Sequence, residues 1–265
     1  MAIHPTAVVD PRAAIHADAD IGPFVVIDGP VRVGPGTRVL AHATLMGWTD
    51  IGAGNTVHAG AVLGDVPQDV AFPGEQSFLR IGNGNVIREH VQMHRGTKPG
   101  SATIVGDNNY FMTNAHVAHN CRIGNDVIIA NGALLGGYVD VADRVFISGN
   151  CALHQFVRVG RLALLRGLTK AARDVPPFCI VDGTHTVRAI NRVGLRRAGF
   201  TTRQIQDVHR AVRLLFGRPR NLRMALAEVE AGPCSPEVRE LIEFIRASTR
   251  GVAFGPRRAV GAGEE

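Results

Sequence analysis

IGPFVVIDGPVRVGPGTRVLAHATL, residues 21–45, places an aliphatic side chain at every sixth position: Ile21, Ile27, Val33, Val39 and Leu45. Neither an α-helix, with 3.6 residues per turn, nor a half-buried strand, which alternates every two residues, sustains a period of six. A coil of about 18 residues with three short strands needs one inward aliphatic residue for each side. The stretch therefore predicts a triangular β-helix.

The same period extends over most of the chain. It begins at Ile3, is interrupted at about residues 64–80 and 94–104, and is regular from Val105 to Leu165. Both interruptions contain proline and are interpreted as loops that project from the coil. Loops on a rigid scaffold commonly carry binding residues.

The period of six stops after Pro177, and helix signals follow. Three residues are suitable N-caps: Thr201, Asn221 and Ser235. They predict helices over about residues 203–216, 222–231 and 236–248. We therefore expect a mainly β protein with a β-helix domain over residues 1–189, followed by a small α-helical domain over 190–265 whose tail, from about residue 255, is disordered.

The net charge of +6 is distributed unevenly along the 265 residues. Residues 1–155 carry 9 Lys/Arg and 13 Asp/Glu, whereas residues 156–265 carry 20 and 10. A basic half indicates an acidic partner. Nucleic acid is disfavoured as that partner, because the basic half lacks the interleaved aromatic residues and groove-reading motifs of nucleic-acid binders.

Other sequence features concern compartment and redox chemistry. No apolar run approaches the ~18 residues of a membrane span, and no secretory leader is recognised, so we expect a cytoplasmic protein without an integral membrane segment. The cysteines contain no C-x-x-C pair, which argues against a zinc knuckle or redox motif. We expect them to be reduced and mostly buried: Cys121, Cys151, Cys179 and Cys234.

Two histidines, His116 and His119, lie three residues apart in the regular part of the repeat. Histidine has an ordinary pKa of about 6.5, so it can take and return a proton near neutral pH. A general base for transfer chemistry is therefore one interpretation of the pair. Two surface histidines on a regular solenoid are the other.

The Ile-Gly-x-x-x-x repeats at Ile21 and Ile51 resemble those of the hexapeptide acyltransferases, which implies a left-handed parallel β-helix. Within that superfamily the chain resembles the UDP-N-acetylglucosamine O-acyltransferases over residues 1–251. The resemblance is carried by several motifs in one order: Pro67-Gln68-Asp69, Ile87-Arg88-Glu89, His94-Arg95-Gly96-Thr97, Asn114-Ala115-His116-Val117-Ala118-His119-Asn120-Cys121, His154-Gln155-Phe156, Asp174-Val175-Pro176-Pro177 and Gly194-Leu195-Arg196-Arg197.

This resemblance implies a cytoplasmic homotrimer with active sites between neighbouring prisms and no cofactor or metal. It implies that a 3-hydroxyacyl chain is transferred from acyl carrier protein to the 3-hydroxyl of UDP-N-acetylglucosamine, the first step of lipid A biosynthesis. A base is needed because a sugar hydroxyl is a poor nucleophile, and the oxyanion formed at the thioester carbonyl needs a hydrogen-bond donor.

Site residues follow from the same motifs. His119 matches the general base, Asn120 stands where the family commonly has an orienting Asp, and Gly137 matches the backbone N–H that stabilises the oxyanion. Gly167 matches the floor of the acyl groove, where a small residue implies a long chain. The remaining matches are to substrate-binding positions: Gln68, Asp69, His116, His154, Gln155, Asn191 and Arg197.

Departures from the family keep alternatives open. Ala71 replaces a lysine, Tyr138 a histidine and Val193 an acidic residue. A different nucleotide sugar is one alternative, including an amino sugar that would be N-acylated. A zinc hydratase with the same prism would use three histidines, His94, His116 and His119. A non-catalytic prism that binds acyl carrier protein is a further alternative.

Overall fold

The computed structural model describes residues 2–217 and 221–255, and the tail predicted to be disordered lies outside them from residue 256 onward. The chain winds into a prism with three sheets, because each coil contributes one short strand to each side, and the strands are parallel except for the last strand of the first sheet. The first sheet has eleven strands: β1 (Ala2–Ile3), β4 (Asp20–Ile21), β7 (Arg38–Val39), β10 (Thr56–Val57), β13 (Val86–Ile87), β16 (Tyr110–Phe111), β19 (Ile128–Ile129), β22 (Phe146–Ile147), β25 (Leu164–Leu165), β27 (Cys179–Asp182) and β28 (Thr186–Ile190).

The other two sheets complete the prism. The second sheet has nine strands: β2 (Val8–Val9), β5 (Val26–Asp28), β8 (Thr44–Met46), β11 (Val62–Asp65), β14 (Gln92–His94), β17 (His116–Val117), β20 (Leu134–Leu135), β23 (Ala152–Leu153) and β26 (Lys170–Ala171). The third has eight: β3 (Ala14–Ile15), β6 (Arg32–Val33), β9 (Trp48–Ile51), β12 (Phe78–Ile81), β15 (Ala102–Val105), β18 (Arg122–Ile123), β21 (Asp140–Val141) and β24 (Arg158–Val159).

The period of six corresponds to the core of this prism. The aliphatic residues at every sixth position from Ile21 to Leu165 are buried inside the coil. Three of the four cysteines are buried there as well, whereas Cys234 is half-buried outside the prism, and none forms a disulfide. The predicted coil is confirmed, and the interruptions predicted at about residues 64–80 and 94–104 contain two loops between strands, 66–77 and 95–101.

A ladder of buried asparagines runs along the inside of the coil. The backbone N–H of Asn85 donates to Asn55 Oδ1 at 2.9 Å, that of Asn109 to Asn85 Oδ1 at 2.9 Å, and that of Val127 to Asn109 Oδ1 at 2.7 Å. The three asparagines are at most 1% exposed. Each side-chain oxygen thus accepts a hydrogen bond from the next coil, which satisfies an acceptor that would otherwise be costly to bury. The buried Asn109 Nδ2 has no hydrogen-bond partner among the described residues.

One outer face of the prism is apolar. Successive strands of the first sheet place large apolar or aromatic side chains in register on the outside, and all are half-buried: Val86, Tyr110, Ile128, Phe146, Leu164 and Ile180. We call this row the apolar ridge.

Four helices follow the prism: α1 (Arg192–Arg197), α2 (Thr202–Phe216), α3 (Leu222–Glu230) and α4 (Pro236–Arg246). The three predicted helices are confirmed with their caps, including a capping box between Thr201 and Gln204. The antiparallel β27–β28 hairpin and α1 were not predicted, because a six-residue helix and a hairpin outside the repeat leave little periodicity in the sequence. In the described residues every helix is too short to cross a lipid bilayer.

The helical segment packs on the last coils of the prism. Arg161 makes a bidentate ion pair with Glu240 of α4, with Nη2 to Oε2 at 2.7 Å. The guanidinium of Arg158 lies 4.4 Å from the ring centre of Phe244 on the same helix. These contacts attach α4 to the prism by charge and by cation–π stacking.

Candidate active site

A cavity of about 700 Å³ lies where the two projecting loops approach one corner of the prism. Loop 66–77 contributes Gln68 and Asp69, and loop 95–101 contributes Thr97 and Lys98. The corner contributes residues from three successive coils: His119, Tyr138, Gln155 and Phe156. The structure therefore brings together Gln68, Asp69, His119 and Gln155, four residues predicted from the sequence.

His119 lies at the corner that follows β17 and is 7% exposed. Its Nδ1 atom is 3.1 Å from Asn120 Oδ1. The edge of its ring contacts Tyr138, with ring centres 5.3 Å apart and ring planes at 87°. The ring is therefore held on one side by a polar contact and on another by an aromatic contact.

Asn120 is itself held firmly. Its φ angle of 59° lies in the left-handed region, which asparagine tolerates better than most residues. Its backbone N–H donates to Thr103 Oγ1 at 2.8 Å, and its Oδ1 accepts from the Thr97 backbone N–H at 2.9 Å. The amide side chain thus joins loop 95–101 to the His119 ring.

Gly137 lies directly against the other side of the imidazole. A Cβ atom added to Gly137 would lie 2.5 Å from His119 Cε1 and 2.6 Å from Nε2. The Gly137 backbone N–H makes no hydrogen bond to any described residue. The Nε2 edge of the imidazole therefore lies against Gly137, whose N–H donor has no partner in the described residues. Gly137 is buried and is not among the residues that line the cavity. Base-assisted attack on a carbonyl uses a base and a hydrogen-bond donor of these kinds.

Asp69 faces this corner from loop 66–77. Its Oδ1 accepts from the Ala71 N–H at 3.0 Å, and its Oδ2 accepts from the Thr97 hydroxyl at 2.9 Å. These two bonds, and more weakly the nearby His119, lower the pKa of Asp69, whereas partial burial opposes the shift. Asp69 is therefore a carboxylate that accepts hydrogen bonds at neutral pH.

Aromatic rings form one wall of the cavity. The Tyr138 ring stacks on Phe156 with ring centres 4.8 Å apart and ring planes at 13°. Both residues occupy the same corner position in successive coils, with φ angles of 61° and 65°. Tyr138 was predicted only as a departure from the family, and no role was predicted for Phe156 or Thr97. These residues are far apart in the sequence, and only the fold, which brings two loops to one corner of the prism, places them together.

His116 and His154 lie outside the cavity lining. His116 is on the outer face of β17, where its ring centre is 5.2 Å from that of His94, and burial and then His94 lower its pKa to about 4. His154 Nδ1 is 3.2 Å from Arg250 Nη2, and Arg250 also donates to the carbonyl of Gln155. Arg250 thereby ties the end of the helical segment to the His154-Gln155 corner.

The last three predicted site residues lie away from the cavity. Asn191 caps α1: its Oδ1 accepts from the Gly194 N–H and its Nδ2 donates to Leu162 O, each at 3.0 Å, so both polar atoms are engaged within the chain. Arg197 is exposed in the last turn of α1. A Cβ atom on Gly167 would meet only Gly149 O, at 3.6 Å. None of the three lines the cavity.

The histidines considered for zinc do not converge. His94 Nδ1 is 2.6 Å from Val66 O, His116 Nδ1 is 3.4 Å from Gln92 Oε1, and His119 contacts Asn120. Over residues 2–217 and 221–255, no group of three or more His, Cys, Asp or Glu side chains is placed to hold a metal ion. The donor set that the zinc alternative requires is therefore not assembled by these residues.

Comparison with known proteins identifies the family of this chain. The model "Udp N-acetylglucosamine O-acyltransferase; Domain 2" matches residues 174–253, and the bacterial transferase hexapeptide model matches residues 102–137. The chain is 40% identical over 253 residues to the acyl-[acyl-carrier-protein]–UDP-N-acetylglucosamine O-acyltransferase of Thermodesulfovibrio yellowstonii, covering 94% of this chain and 98% of the relative. It is 41% identical over 248 residues to the enzyme of the same name from Gloeothece citriformis, covering 93% and 90%.

Solved structures agree with these relatives. LpxA, a UDP-N-acetylglucosamine acyltransferase from Bacteroides fragilis, superposes with a TM-score of 0.90 at 42% identity, covering 94% of this chain and 99% of that one. The Arabidopsis UDP-N-acetylglucosamine acyltransferase superposes with a TM-score of 0.85 at 33% identity, covering 95% and 99%. The predicted fold class, a left-handed parallel β-helix followed by a few helices, is confirmed. The chain belongs to the UDP-N-acetylglucosamine O-acyltransferase family.

Proposed function

We propose that this protein transfers a 3-hydroxyacyl chain from acyl carrier protein to the 3-hydroxyl of UDP-N-acetylglucosamine, the first step of lipid A biosynthesis. Relatives about 40% identical over most of their length carry the name of this activity. The observation that carries the proposal is that His119 lines the cavity of about 700 Å³ and places its Nε2 against Gly137, whose N–H is unpaired among the described residues.

The reaction follows from these two groups. His119 Nε2 removes the proton from the sugar hydroxyl while its oxygen bonds to the thioester carbonyl carbon. The carbonyl oxygen becomes negative and accepts a hydrogen bond from the Gly137 N–H. When the tetrahedral intermediate collapses, the carbon–sulfur bond breaks and the thiolate of the carrier takes the proton from His119, so the base is regenerated.

The cavity also offers groups for binding. The Asp69 carboxylate and the Gln68 and Gln155 side chains present hydrogen-bonding groups suited to sugar hydroxyls, and Lys98 supplies a positive charge. The stacked rings of Tyr138 and Phe156 form an apolar wall beside them. Polar groups opposite an apolar surface suit an acceptor sugar and an acyl chain that meet at one corner.

We further propose a cytoplasmic homotrimer. The apolar ridge on the first sheet is a continuous row of large side chains that a second copy of the chain can cover. Five predicted site residues lie outside the cavity of a single chain, which supports a site completed between neighbouring prisms: His116, His154, Asn191, Arg197 and Gly167. We keep them as proposed substrate-binding and chain-length residues.

The acidic donor is proposed to dock on the basic half of the chain. Arg188 and Arg192 line a cleft together with His209 and Arg213 of α2. Burial, and then the positive charges of Arg192 and Arg213, lower the pKa of His209. A cleft with this charge attracts an acidic protein and speeds its association.

His119→Ala tests the proposal. We expect transfer between a 3-hydroxyacyl carrier protein and UDP-N-acetylglucosamine to fall about 10²–10⁴-fold, the usual contribution of a general base, while the melting temperature stays unchanged. His16→Ala is the comparison variant, since His16 is an exposed histidine that does not line the cavity. Activity of His119→Ala within tenfold of the parent would move the base role to another residue.

The departures at Tyr138 and Val193 favour one second candidate. Val193 is 58% exposed, so an apolar side chain faces solvent at a position where the resemblance to the family implies an acidic residue. A nucleotide sugar with a 3-amino group would then be acylated to an amide. Competition between the 3-hydroxy and 3-amino sugars decides between the candidates, because the preferred acceptor is consumed first.

A further inference from the structure

We infer that Thr97 is a positioning residue that sets the tautomer of His119 through Asn120 and, with its hydroxyl, holds Asp69 at the same cavity. The inference rests on the proposed function, since it assigns the orientation of the proposed base. It concerns three hydrogen bonds: Thr97 N–H to Asn120 Oδ1, Asn120 Oδ1 to His119 Nδ1, and Thr97 Oγ1–H to Asp69 Oδ2.

The Asn120 amide presents its oxygen to Thr97. A backbone N–H is only a donor, so the amide atom 2.9 Å from it must be the oxygen. The same oxygen lies 3.1 Å from His119 Nδ1. Because an amide oxygen only accepts, Nδ1 must carry the proton. Nε2 then keeps its lone pair beside Gly137, where the proposed mechanism needs a base.

The Asn120 amide, unlike a carboxylate, needs Thr97 to fix its orientation toward His119. A carboxylate offers two acceptor oxygens, so it selects the Nδ1–H tautomer in either orientation. An amide rotated by half a turn would present its NH₂ group to His119 and select the opposite tautomer, with Nε2 protonated and unable to act as a base. The backbone of Asn120 is fixed by its bond to Thr103 and its left-handed conformation, so the Thr97 N–H determines the remaining rotation.

The Thr97 hydroxyl holds Asp69. Thr97 is 7% exposed, and its Oγ1–H donates to Asp69 Oδ2 at 2.9 Å. The other Asp69 oxygen is held by the Ala71 N–H. One buried threonine therefore joins loop 66–77, which carries Asp69, to loop 95–101 and the His119 corner. The relative positions of base and carboxylate depend on this residue.

The tautomer is measured without substrates. In protein labelled with ¹⁵N-histidine, the His119 signals are identified by their loss in His119→Ala, and the ¹⁵N shifts distinguish a protonated Nδ1 from a protonated Nε2. We expect Nδ1–H in the parent and in Asn120→Asp, and a mixture of tautomers in Asn120→Ala. A parent with Nε2–H, or an unchanged tautomer in Asn120→Ala, would overturn the role of the amide.

The hydroxyl is tested with an isosteric pair. Thr97→Val removes the bond to Asp69 but keeps the backbone N–H, and we expect kcat/KM for the acceptor sugar to fall about 10- to 100-fold, the size of a lost hydrogen bond to a charged group. Thr97→Ser restores the hydroxyl and should recover kcat/KM to within about threefold. The His119 tautomer should stay Nδ1–H in both variants. Equal kinetics for Val and Ser would remove the Asp69 role.

These outcomes separate the inference from the proposed function. An inactive parent that shows the Nδ1–H tautomer and its loss in Asn120→Ala would contradict the acyl transfer but keep the Asn120 assignment. An active parent with Nε2–H would keep the transfer and overturn the assignment.

Discussion

Gly137→Ala should disable the site without removing any functional group. The new Cβ would lie 2.5 Å from His119 Cε1 and 2.6 Å from Nε2, whereas carbon atoms in contact are ordinarily about 3.5–4.0 Å apart. The imidazole must therefore move by about 1 Å. A misplacement of that size costs about 10²-fold in rate, so we expect kcat to fall by about that factor.

Neither backbone strain nor loss of the oxyanion donor would account for such a fall in kcat. Gly137 does not have a positive φ angle, so alanine fits the backbone conformation, and the peptide N–H proposed to bind the oxyanion is retained. Gly232→Ala is the matched control, because its Cβ would meet only Val229 O at 3.5 Å. Melting temperatures should change little in both variants.

Steady-state transfer with a 3-hydroxyacyl carrier protein and UDP-N-acetylglucosamine is the assay. A double variant, Gly137→Ala with His119→Ala, should be no slower than His119→Ala alone, because both changes act through the same ring. A Gly137→Ala enzyme with kcat within threefold of the parent would refute the argument that His119 must stay where it is. So would additive losses in the double variant.

Three further outcomes are expected. Gly167→Met should shift donor preference toward shorter acyl chains, since it fills an apolar slot; unchanged selectivity in a mixed-donor competition would place the chain-length determinant elsewhere. Charge reversal at the exposed Arg196, together with Arg192, should raise KM for the acyl carrier protein, and added salt should do the same; a KM insensitive to both would exclude docking there. His116 should titrate near pH 4 by NMR, and the free energy of unfolding should fall as the pH drops from about 6.5 toward 4, because the unfolded chain binds this proton first; His116→Asn should remove that part of the pH dependence.

The sequence was most informative where one physical requirement repeats. Every coil must bury an aliphatic residue at each side, so the period from Ile21 to Leu165 predicts the prism directly. The β27–β28 hairpin and α1 have no such repetition: α1 is six residues long and is defined by the Asn191 cap and by packing on the last coil. Tertiary contacts, rather than a local pattern, determine where those elements form.

The candidate site was likewise predictable from the sequence only in part. Motifs indicated His119, Asp69 and Gln155 one by one, but the sequence does not show that Thr97 bonds to both Asn120 and Asp69, since these residues are 23 and 28 positions away from it. The sequence also did not show that the Asn191 side chain caps helix α1. Distances across loops become visible only when the coil brings their ends to one corner.

The asparagine ladder has a consequence for how such a chain can change over evolution. Its members are 30 and 24 residues apart where the projecting loops interrupt the coil, but 18 apart from Asn109 to Val127, where no loop intervenes. The ladder thus keeps successive coils aligned across both insertions, whatever length of chain leaves and re-enters between them. Loops 66–77 and 95–101 can therefore gain, lose or exchange residues, and so alter which substrate is accepted. The corner that carries His119 meanwhile keeps its position along the length of the prism.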